Sequence, residues 1–444
     1  MSWFFALPLE VRLAIVFLFG LLLGTQVNHA VYRFAFHRRS ISPWQPRDAD
    51  GAPRRWFDFL PVVGWLGLAR DVKLHGDRFW LRPLVIELLM GVGLALLYWW
   101  ECGSGLCPPV KDLEGWSEPT ALAPLPIAWV HAQFFVQAIL IALMAAASFI
   151  DIDEKLIPDE ITVFGALAGL LLAAALPISR LPEWNNYQPP GWSPGDVLLT
   201  VSPLPPPKWL GEVKGLAVGL ACFLAWWGAI IPWTCDWRRG PVKGLQLLLA
   251  SFRRRVWPRP QRPREGSRVY LIVLAIGIFI LPLVWGLAEQ GRIGRLHWRS
   301  LLSALVGMVA GGGLVWAVRI IGGRALGKEA MGFGDVTLVA MIGAFLGWQP
   351  CLMLFFIAPF IGVCIALAQW LVTRRQDIWY GPFLCLGALL TIVFWAPLWE
   401  YYGRPIFGMG ATLPAIVVIL LAMMGAMLTI WRYIKERFIF PDEA

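Results

Sequence analysis

The sequence predicts an all-α fold, a polytopic transmembrane helical bundle with about ten to eleven spans and cytoplasmic insertions. Its residues are 58% hydrophobic and only 15% charged, whereas a soluble domain carries about a quarter charged residues. Apolar runs of roughly twenty residues, long enough to cross the core of a bilayer, recur along the whole chain. Lysine and arginine concentrate in a few of the intervening segments, as in the cytoplasmic loops of membrane proteins.

Eleven apolar runs are candidate spans. The first has only Arg12 before it, offset by Glu10, and no small-residue cleavage site after it, so it indicates a retained helix rather than a signal peptide. The eighth run is short, and a ten-span arrangement that merges or omits it is the alternative. In chain order the runs cover about 9–35, 83–100, 126–150, 160–178, 215–234, 269–288, 301–322, 336–348, 350–372, 381–398 and 412–431.

Loop charge predicts the orientation of these spans. The segments 38–82 and 238–268 are rich in Lys and Arg, whereas 101–125 and 179–213 hold few basic residues. Because basic loops stay in the cytoplasm, we expect the N-terminus outside and the C-terminus inside. The loop 289–300 fits this orientation poorly, since it is predicted outside yet holds three arginines. The net charge of +9 predicts contact with anionic membrane lipids and no nucleic-acid partner.

The chain divides into three parts. Residues 1–35 form the first span, 36–82 a cytoplasmic loop domain, and 83–444 a membrane domain with a basic cytoplasmic insertion at about 235–268. The apolar stretch 244–252 inside that insertion is too short to span a bilayer and favours an interfacial helix.

Cysteine usage predicts no metal site. Most of the seven cysteines lie within or beside apolar runs, where Cys acts as a small apolar residue. Cys102 and Cys107, both predicted outside, are a candidate local disulfide. None of the cysteines shows the paired close spacing of a zinc site.

Two aspartates stand where apolar runs meet polar turns, far apart in the sequence. Asp151 follows Met144–Ile150 directly, and Asp335 ends the sequence Gly332-Phe333-Gly334-Asp335. Carboxylates at membrane depth are energetically costly and usually mark function. The loop orientation places both turns on the cytoplasmic side, so the pair is a candidate for acid–base chemistry on water.

The residues around the two aspartates have competing interpretations. Gly332 and Gly334 let the backbone bend at the start of a helix, and Asp335 would then lie near the helix N-terminus. Asp153 competes with Asp151 for the catalytic role or is simply solvated. Asp159 is interpreted as a helix cap, or as one of the acidic groups, with Asp153 and Glu160, that attract a basic substrate segment.

Two further residues are candidates for supporting roles. Glu87 is interpreted as a buried ion-pair partner of Arg82 or Arg78, or as part of a substrate or methyl-donor site. Lys328 is expected to anchor the turn before Gly332 rather than to take part in catalysis.

Several of these motifs together resemble the type 4 prepilin peptidases, bacterial aspartic membrane peptidases with a GxGD motif. The matching segments are 151–159, 327–335, 341–349 and 381–383, and the N-terminal landmarks are Asn28, Tyr32-Arg33, Leu60-Pro61-Val62 and Arg82–Glu87. These landmarks run over most of the chain but not over the insertions.

The resemblance implies that Asp151 and Asp335 form a catalytic dyad, and the distance to Pro158 favours Asp151 over Asp153. It implies cleavage of type IV prepilin or pseudopilin leaders at the cytoplasmic face of the bacterial inner membrane, with no cofactor for proteolysis. It also implies methylation of the new N-terminus by S-adenosylmethionine wherever that second activity is retained.

The chain departs from the family pattern in three ways. The loop 36–82 has no cysteine, whereas many relatives hold zinc there with two Cys-x-x-Cys pairs, so the methyltransferase activity is left open. Thr337 stands where a lysine is common, and a basic loop with at least one additional span separates the two aspartates.

Two rival functions use the same features. A proton- or cation-coupled secondary transporter also places carboxylates and glycine-broken helices inside the membrane, but the order of the motifs and the absence of two-half symmetry weigh against it. A membrane assembly protein that has lost catalysis is disfavoured because both aspartates are present.

Overall fold

The computed structural model describes residues 4, 7–37, 41–45, 51, 53–102, 127–183, 197–230, 266–327, 331–373 and 380–435. In these residues eleven long helices dominate, and the predicted all-α polytopic fold is confirmed. The long helices, in chain order, are α1 Leu9–Phe34, α2 Leu81–Trp100, α3 Ile127–Glu154, α4 Asp159–Ala175, α5 Val213–Ile230, α6 Gly266–Glu289, α7 Arg295–Leu326, α8 Phe333–Leu346, α9 Trp348–Thr373, α10 Tyr380–Val393 and α11 Thr412–Ile434.

Short helical segments connect the long helices. Between α1 and α2 lie Trp56–Phe59, Val63–Leu68, Ala69–Asp71 and Val72–His75, and between α4 and α5 lie Pro177–Ser179 and Lys208–Leu210. Trp395–Pro397, Leu398–Gly403 and Arg404–Phe407 follow α10. Within the described ranges, β-type pairing is limited to one isolated bridge between Pro182 and Val197.

Each predicted span corresponds to one long helix, but not all of these helices are long enough to cross a bilayer. Eight described helices meet the length and hydropathy of a span, and α10 with its bent continuation raises the number to nine. The remaining two, α4 with 17 residues and α8 with 14, are shorter. The short eighth span is a separate helix rather than part of α9, because Gly347 at φ +100° breaks the chain between them.

Helix α8 lies at the centre of the bundle, and every residue from Asp335 to Leu346 is buried. It is packed between glycine faces of two neighbours. On α7, a Cβ built at Gly307 would lie 2.3 Å from the Gly343 oxygen of α8. On α4, Gly165 and Gly169 contact Met341 and Phe345 in the same close manner. Small residues four apart let helix backbones approach closely, which is a common way to pack helices in membranes.

A second compact unit involves the loop between α1 and α2, called the first loop below, and joins it to both helices. Buried Tyr32, Ile41, Trp65 and Leu68 form a small apolar core separate from that of the bundle. Arg70 pairs with the buried Asp58, and Arg54 lies 3.6 Å from Asp71. Burial by itself raises the pKa of Asp58, but hydrogen bonds from Arg70 and the Arg55 amide, with the nearby arginine charges, hold the pKa below its usual range.

Polar contacts close the end of the bundle opposite Asp335. Buried Arg180 donates to the Ser300 carbonyl and hydroxyl oxygens at the start of α7. Gln349 and Trp348, at the start of α9, donate to the carbonyl oxygens of Leu199 and Thr200. The bonds of Gln349 and Trp348 fix the loop 197–211 to α9, and those of Arg180 fix the segment after α4 to α7.

Several predictions concern residues outside the described ranges. They are the interfacial helix at 244–252, most of the basic insertion, Cys107 with its candidate disulfide, and Lys328. The predicted membrane orientation and domain boundaries likewise remain predictions.

Candidate active site

Asp151 lies in the last turn of α3 and is 8% exposed. The helix ends three residues later, at Glu154. The following residue, Lys155, adopts φ +58° and donates its amide to the Asp151 carbonyl. A left-handed residue of this kind is a common helix terminator. The chain then turns through Ile157 and Pro158 before α4 begins, so the end of the helix holds Asp151 beside this turn.

Asp335 is the third residue of α8 and is also 8% exposed. Gly332 precedes the helix as its N-cap, and its backbone N–H is within hydrogen-bonding reach of the Asp335 carboxylate. The predicted position of Asp335 at a helix N-terminus is therefore confirmed. Unpaired amides at this end favour a negative charge.

The structure brings these two aspartates together around the start of α10. Their carboxylates interact electrostatically with each other, and Cys385 on α10 interacts with both. The Gly381 amide reaches the Asp151 carboxylate, and the charge of Asp335 acts on Tyr380. Within the described residues neither aspartate has a cation at ion-pair distance. In the part of the chain that the structure describes, the site therefore contains two buried, electrostatically interacting carboxylates without a basic side chain at ion-pair distance.

Close packing explains two glycines at the site. A Cβ at Gly334 would lie 2.9 Å from the Ile157 Cβ, and one at Gly381 would lie 2.6 Å from Asp151 Oδ2. Real Cβ atoms do not approach so closely, so a larger residue at either position would displace its neighbour. Gly332 is different, because its nearest neighbour would be Asp335 Oδ2 at an ordinary 3.7 Å.

The structure places Asp153 against Arg82 rather than beside Asp335. The Arg82 Nη1 atom lies 2.8 Å from Asp153 Oδ1 and 2.7 Å from Oδ2. Asp159 is exposed and is the first residue of α4. It makes no capping hydrogen bond, and Pro158 occupies the N-cap, so the interpretation of Asp159 as the helix cap is wrong.

Glu87 is fully buried, but the predicted pairing with Arg82 or Arg78 is wrong. Its Oε1 accepts from Trp65 Nε1 at 2.7 Å and from Asn28 Nδ2 at 3.3 Å, and its Oε2 accepts from the Val62 amide at 2.6 Å. These donors come from α1 and the first loop. The carboxylate thus joins three parts of the chain and lies apart from the two aspartates.

Gly381, Tyr380 and Ile157 are site residues that sequence reasoning did not identify as such. A glycine before a proline and a lone apolar turn residue carry no chemical signal. Residues 381–383 were marked by resemblance alone, and their contact with Asp151 requires the folded chain.

The first loop does not fit the zinc that the resemblance associates with it. It contains no cysteine, and the described residues hold no group of three His, Cys, Asp or Glu arranged to bind a metal. The loop instead carries the ion pairs of Asp58 and Asp71.

Comparison with known proteins relates one part of the chain to a family. Residues 267–367 match the model of the type IV leader peptidase family. A prepilin leader peptidase/N-methyltransferase of Escherichia coli (strain K12) is 36% identical over 119 residues, covering 26% of this chain and 52% of that protein. The protein of the same name from Dickeya chrysanthemi is 34% identical over 178 residues, covering 34% and 57%.

The chain thus spans about half the length of the curated relatives it matches. No solved structure matches it. The family segment contains Gly332-Phe333-Gly334-Asp335 and the whole of α7 and α8, whereas Asp151 lies outside it. Residues 267–367 of this multi-pass membrane protein are therefore similar to the type IV leader peptidase family.

Proposed function

We propose that this protein is an aspartic endopeptidase that cleaves the leader of type IV prepilin or pseudopilin precursors. One observation carries the proposal. Asp151 and Asp335 come from helices remote in sequence, yet both are buried around Ile157 and the start of α10, the charge of Asp151 acts on Asp335, and no described cation lies at ion-pair distance. Two such carboxylates cannot comfortably both be ionised, so the pair retains one proton.

A pair that holds one proton can hydrolyse a peptide bond with water alone. The ionised carboxylate takes a proton from water while the water oxygen attacks the carbonyl carbon, and the protonated carboxyl donates to the carbonyl oxygen. The tetrahedral intermediate then collapses as the C–N bond breaks and a proton passes to the leaving nitrogen. The proton belongs to the pair, so neither aspartate has a fixed role as acid or base.

The names of the relatives support the substrate class, because they are prepilin leader peptidases. A precursor with a basic leader and an apolar helix suits a site at the ends of membrane helices, where Asp151 and Asp335 lie. The basic loops favour the cytoplasmic side of the bacterial inner membrane for this site.

The same names include an N-methyltransferase activity. In the proposed reaction sequence, cleavage exposes a new amino group, and S-adenosylmethionine would supply a methyl group to it. Cleavage by the aspartates requires neither this methyl donor nor zinc.

The test is co-expression of a prepilin-type precursor with the wild-type protein and with Asp151→Asn and Asp335→Asn variants. The wild type should shorten the precursor by the mass of its leader, and each variant should leave it intact while remaining in the membrane fraction. A product heavier by one methyl group would establish the second activity in the same spectrum.

Glu212→Gln is the matched control, because Glu212 is an exposed acid at the end of the bundle opposite Asp335. It should cleave as the wild type does. Full activity of the Asp335→Asn variant would falsify the peptidase mechanism. An intact precursor with the wild type, tested across several pilin-type substrates, would rule out the substrate class.

A further inference from the structure

The exit of the first loop is attached to the helix that carries Asp151. Arg82, at the start of α2, forms the two-oxygen contact with Asp153 and donates to the Phe149 carbonyl at 3.3 Å. Its guanidinium also lies over the Phe149 ring, 5.6 Å from the centroid. These contacts fall on both sides of Asp151, within the last turns of α3.

The entry of the same loop is attached to Glu154, the last residue of α3. The Phe36 and His37 amides donate to Glu154 Oε2 and Oε1, at 2.5 and 2.8 Å. The Glu154 side chain is only 11% exposed. Backbone donors from the end of α1 therefore fix a mostly buried carboxylate three residues after Asp151.

The described part of the loop between these two attachments is internally braced. Glu87 bonds the Val62 amide and the Trp65 ring to α2, and Arg70 pairs with the buried Asp58. A loop held in this way transmits the position of its ends. By contrast, the last turn of an isolated helix frays, because its final carbonyl groups have no intrahelical partners.

We propose that the first loop is a brace that positions Asp151, with Arg82, Asp153 and Glu154 as its positioning residues. The brace holds the last turn of α3 so that the Asp151 carboxylate stays beside Asp335. This inference rests on the proposed peptidase function. It assigns Asp153 a role different from attraction of a basic leader, because the Asp153 carboxylate already binds Arg82.

The two roles for Asp153 predict opposite effects of removing Arg82. If Arg82 holds the brace, Arg82→Ala lowers kcat and leaves KM nearly unchanged, and Asp153→Ala does the same. If Asp153 recruits the leader, Arg82→Ala frees its carboxylate and lowers KM, whereas Asp153→Ala raises KM. We expect kcat to fall about three- to tenfold, since small misplacements of a catalytic group reduce rates strongly.

The measurement is steady-state cleavage of a pilin-type precursor by the purified full chain in lipid nanodiscs. The double variant Arg82→Ala/Asp153→Ala should be no slower than either single variant, because both changes remove one contact. Arg82→Lys should retain part of the rate. Lys73→Ala, an exposed basic residue of the same loop, is the control and should match the wild type.

A second measurement separates failure of the brace from failure of the peptidase function. Hydrogen–deuterium exchange without substrate should become faster in residues 149–156 of Arg82→Ala and stay unchanged in Lys73→Ala. Faster exchange in Arg82→Ala, combined with a wild type that cleaves no pilin precursor, would retain the brace and reject the substrate class. Unchanged kcat and unchanged exchange in Arg82→Ala would overturn the brace.

Discussion

Two regions of this protein hold buried carboxylates under opposite conditions. In the first loop and α2, Glu87 accepts three hydrogen bonds, and Asp58 is paired with Arg70 and bonded to the Arg55 amide. At the junction of α3, α8 and α10, Asp151 and Asp335 have one reachable backbone amide each, and the charge of Asp151 acts on Asp335.

The difference separates a structural carboxylate from one available for chemistry. A buried charge with all its acceptor sites filled stabilises the parts of the chain that supply the donors. Two buried acids with few donors gain little from each other, and the proton they share can move to water or substrate. The comparison predicts that mutations in the two regions alter different properties.

The largest expected effect follows from neutralising Asp335. Asp335→Asn should reduce cleavage about 10²- to 10⁴-fold, because the pair loses a group that transfers protons. Its melting temperature should equal or exceed that of the wild type, since a neutral amide replaces one of two buried acids that compete for one charge. Cleavage assays and thermal unfolding in the same detergent test both outcomes. A marked fall in melting temperature would instead make Asp335 a structural carboxylate.

The glycines of the Gly-Phe-Gly-Asp sequence should differ in their tolerance of a methyl group. Gly334→Ala must displace Ile157 and thereby the turn beside Asp151, so we expect a rate loss of about ten- to a hundredfold. Gly332→Ala meets only an ordinary contact, and its rate should stay within about twofold of the wild type. Equal losses for the two variants, measured as kcat, would contradict the packing explanation.

Changing Glu87 to Gln should affect stability rather than chemistry. Glu87 accepts from Val62 at one oxygen and from Trp65 and Asn28 at the other. Glutamine has only one acceptor oxygen, so its NH₂ group must face a donor in either orientation. Leaving a buried donor without an acceptor costs about 1–3 kcal/mol. The melting temperature should fall, with kcat per folded molecule little changed. An intact melting temperature with lost cleavage would place Glu87 in the reaction.

The smallest expected effect concerns pH and the pair of Asp58 and Arg70. Because the pKa of folded Asp58 lies below its ordinary value of 3.8, the pair contributes stability that is fully present above that value. The contribution is lost as the pH falls through the lower, folded pKa. The loss of melting temperature caused by Arg70→Ala should therefore be constant from pH 7 to pH 5 and shrink below about pH 3.8. Growth of that difference with acidification would contradict this assignment.

Much of the fold was predictable, because the membrane environment imposes length and hydropathy on each span. Apolar runs located all eleven long helices, and the glycines with Asp335 located the start of α8. The lengths of α4 and α8 were less predictable. Helix α8 is apolar because its neighbours bury it, although it is too short to span a bilayer. Hydropathy does not distinguish such a buried core helix from a membrane span.

The partners of polar side chains were not predictable from the sequence. Glu87 was a candidate partner of Arg82, and only the folded chain shows that Arg82 binds Asp153, 71 residues away, while Glu87 binds neutral donors. Asp159 was expected as a cap, but the turn ends one residue earlier at Pro158. Such choices depend on which groups lie within a few ångströms, and spacing along the chain does not specify that distance.

The sequence alone determined that this is a helical membrane protein and that its two aspartates, remote from each other, are unusual, because water-free surroundings exclude most charges from apolar runs. The tertiary structure decided which carboxylates are left without full partners. That outcome depends on the packing of α3, α8 and α10, which brings Gly381, Ile157 and both aspartates into one site, whereas Glu87 and Asp58 meet donors in the first loop.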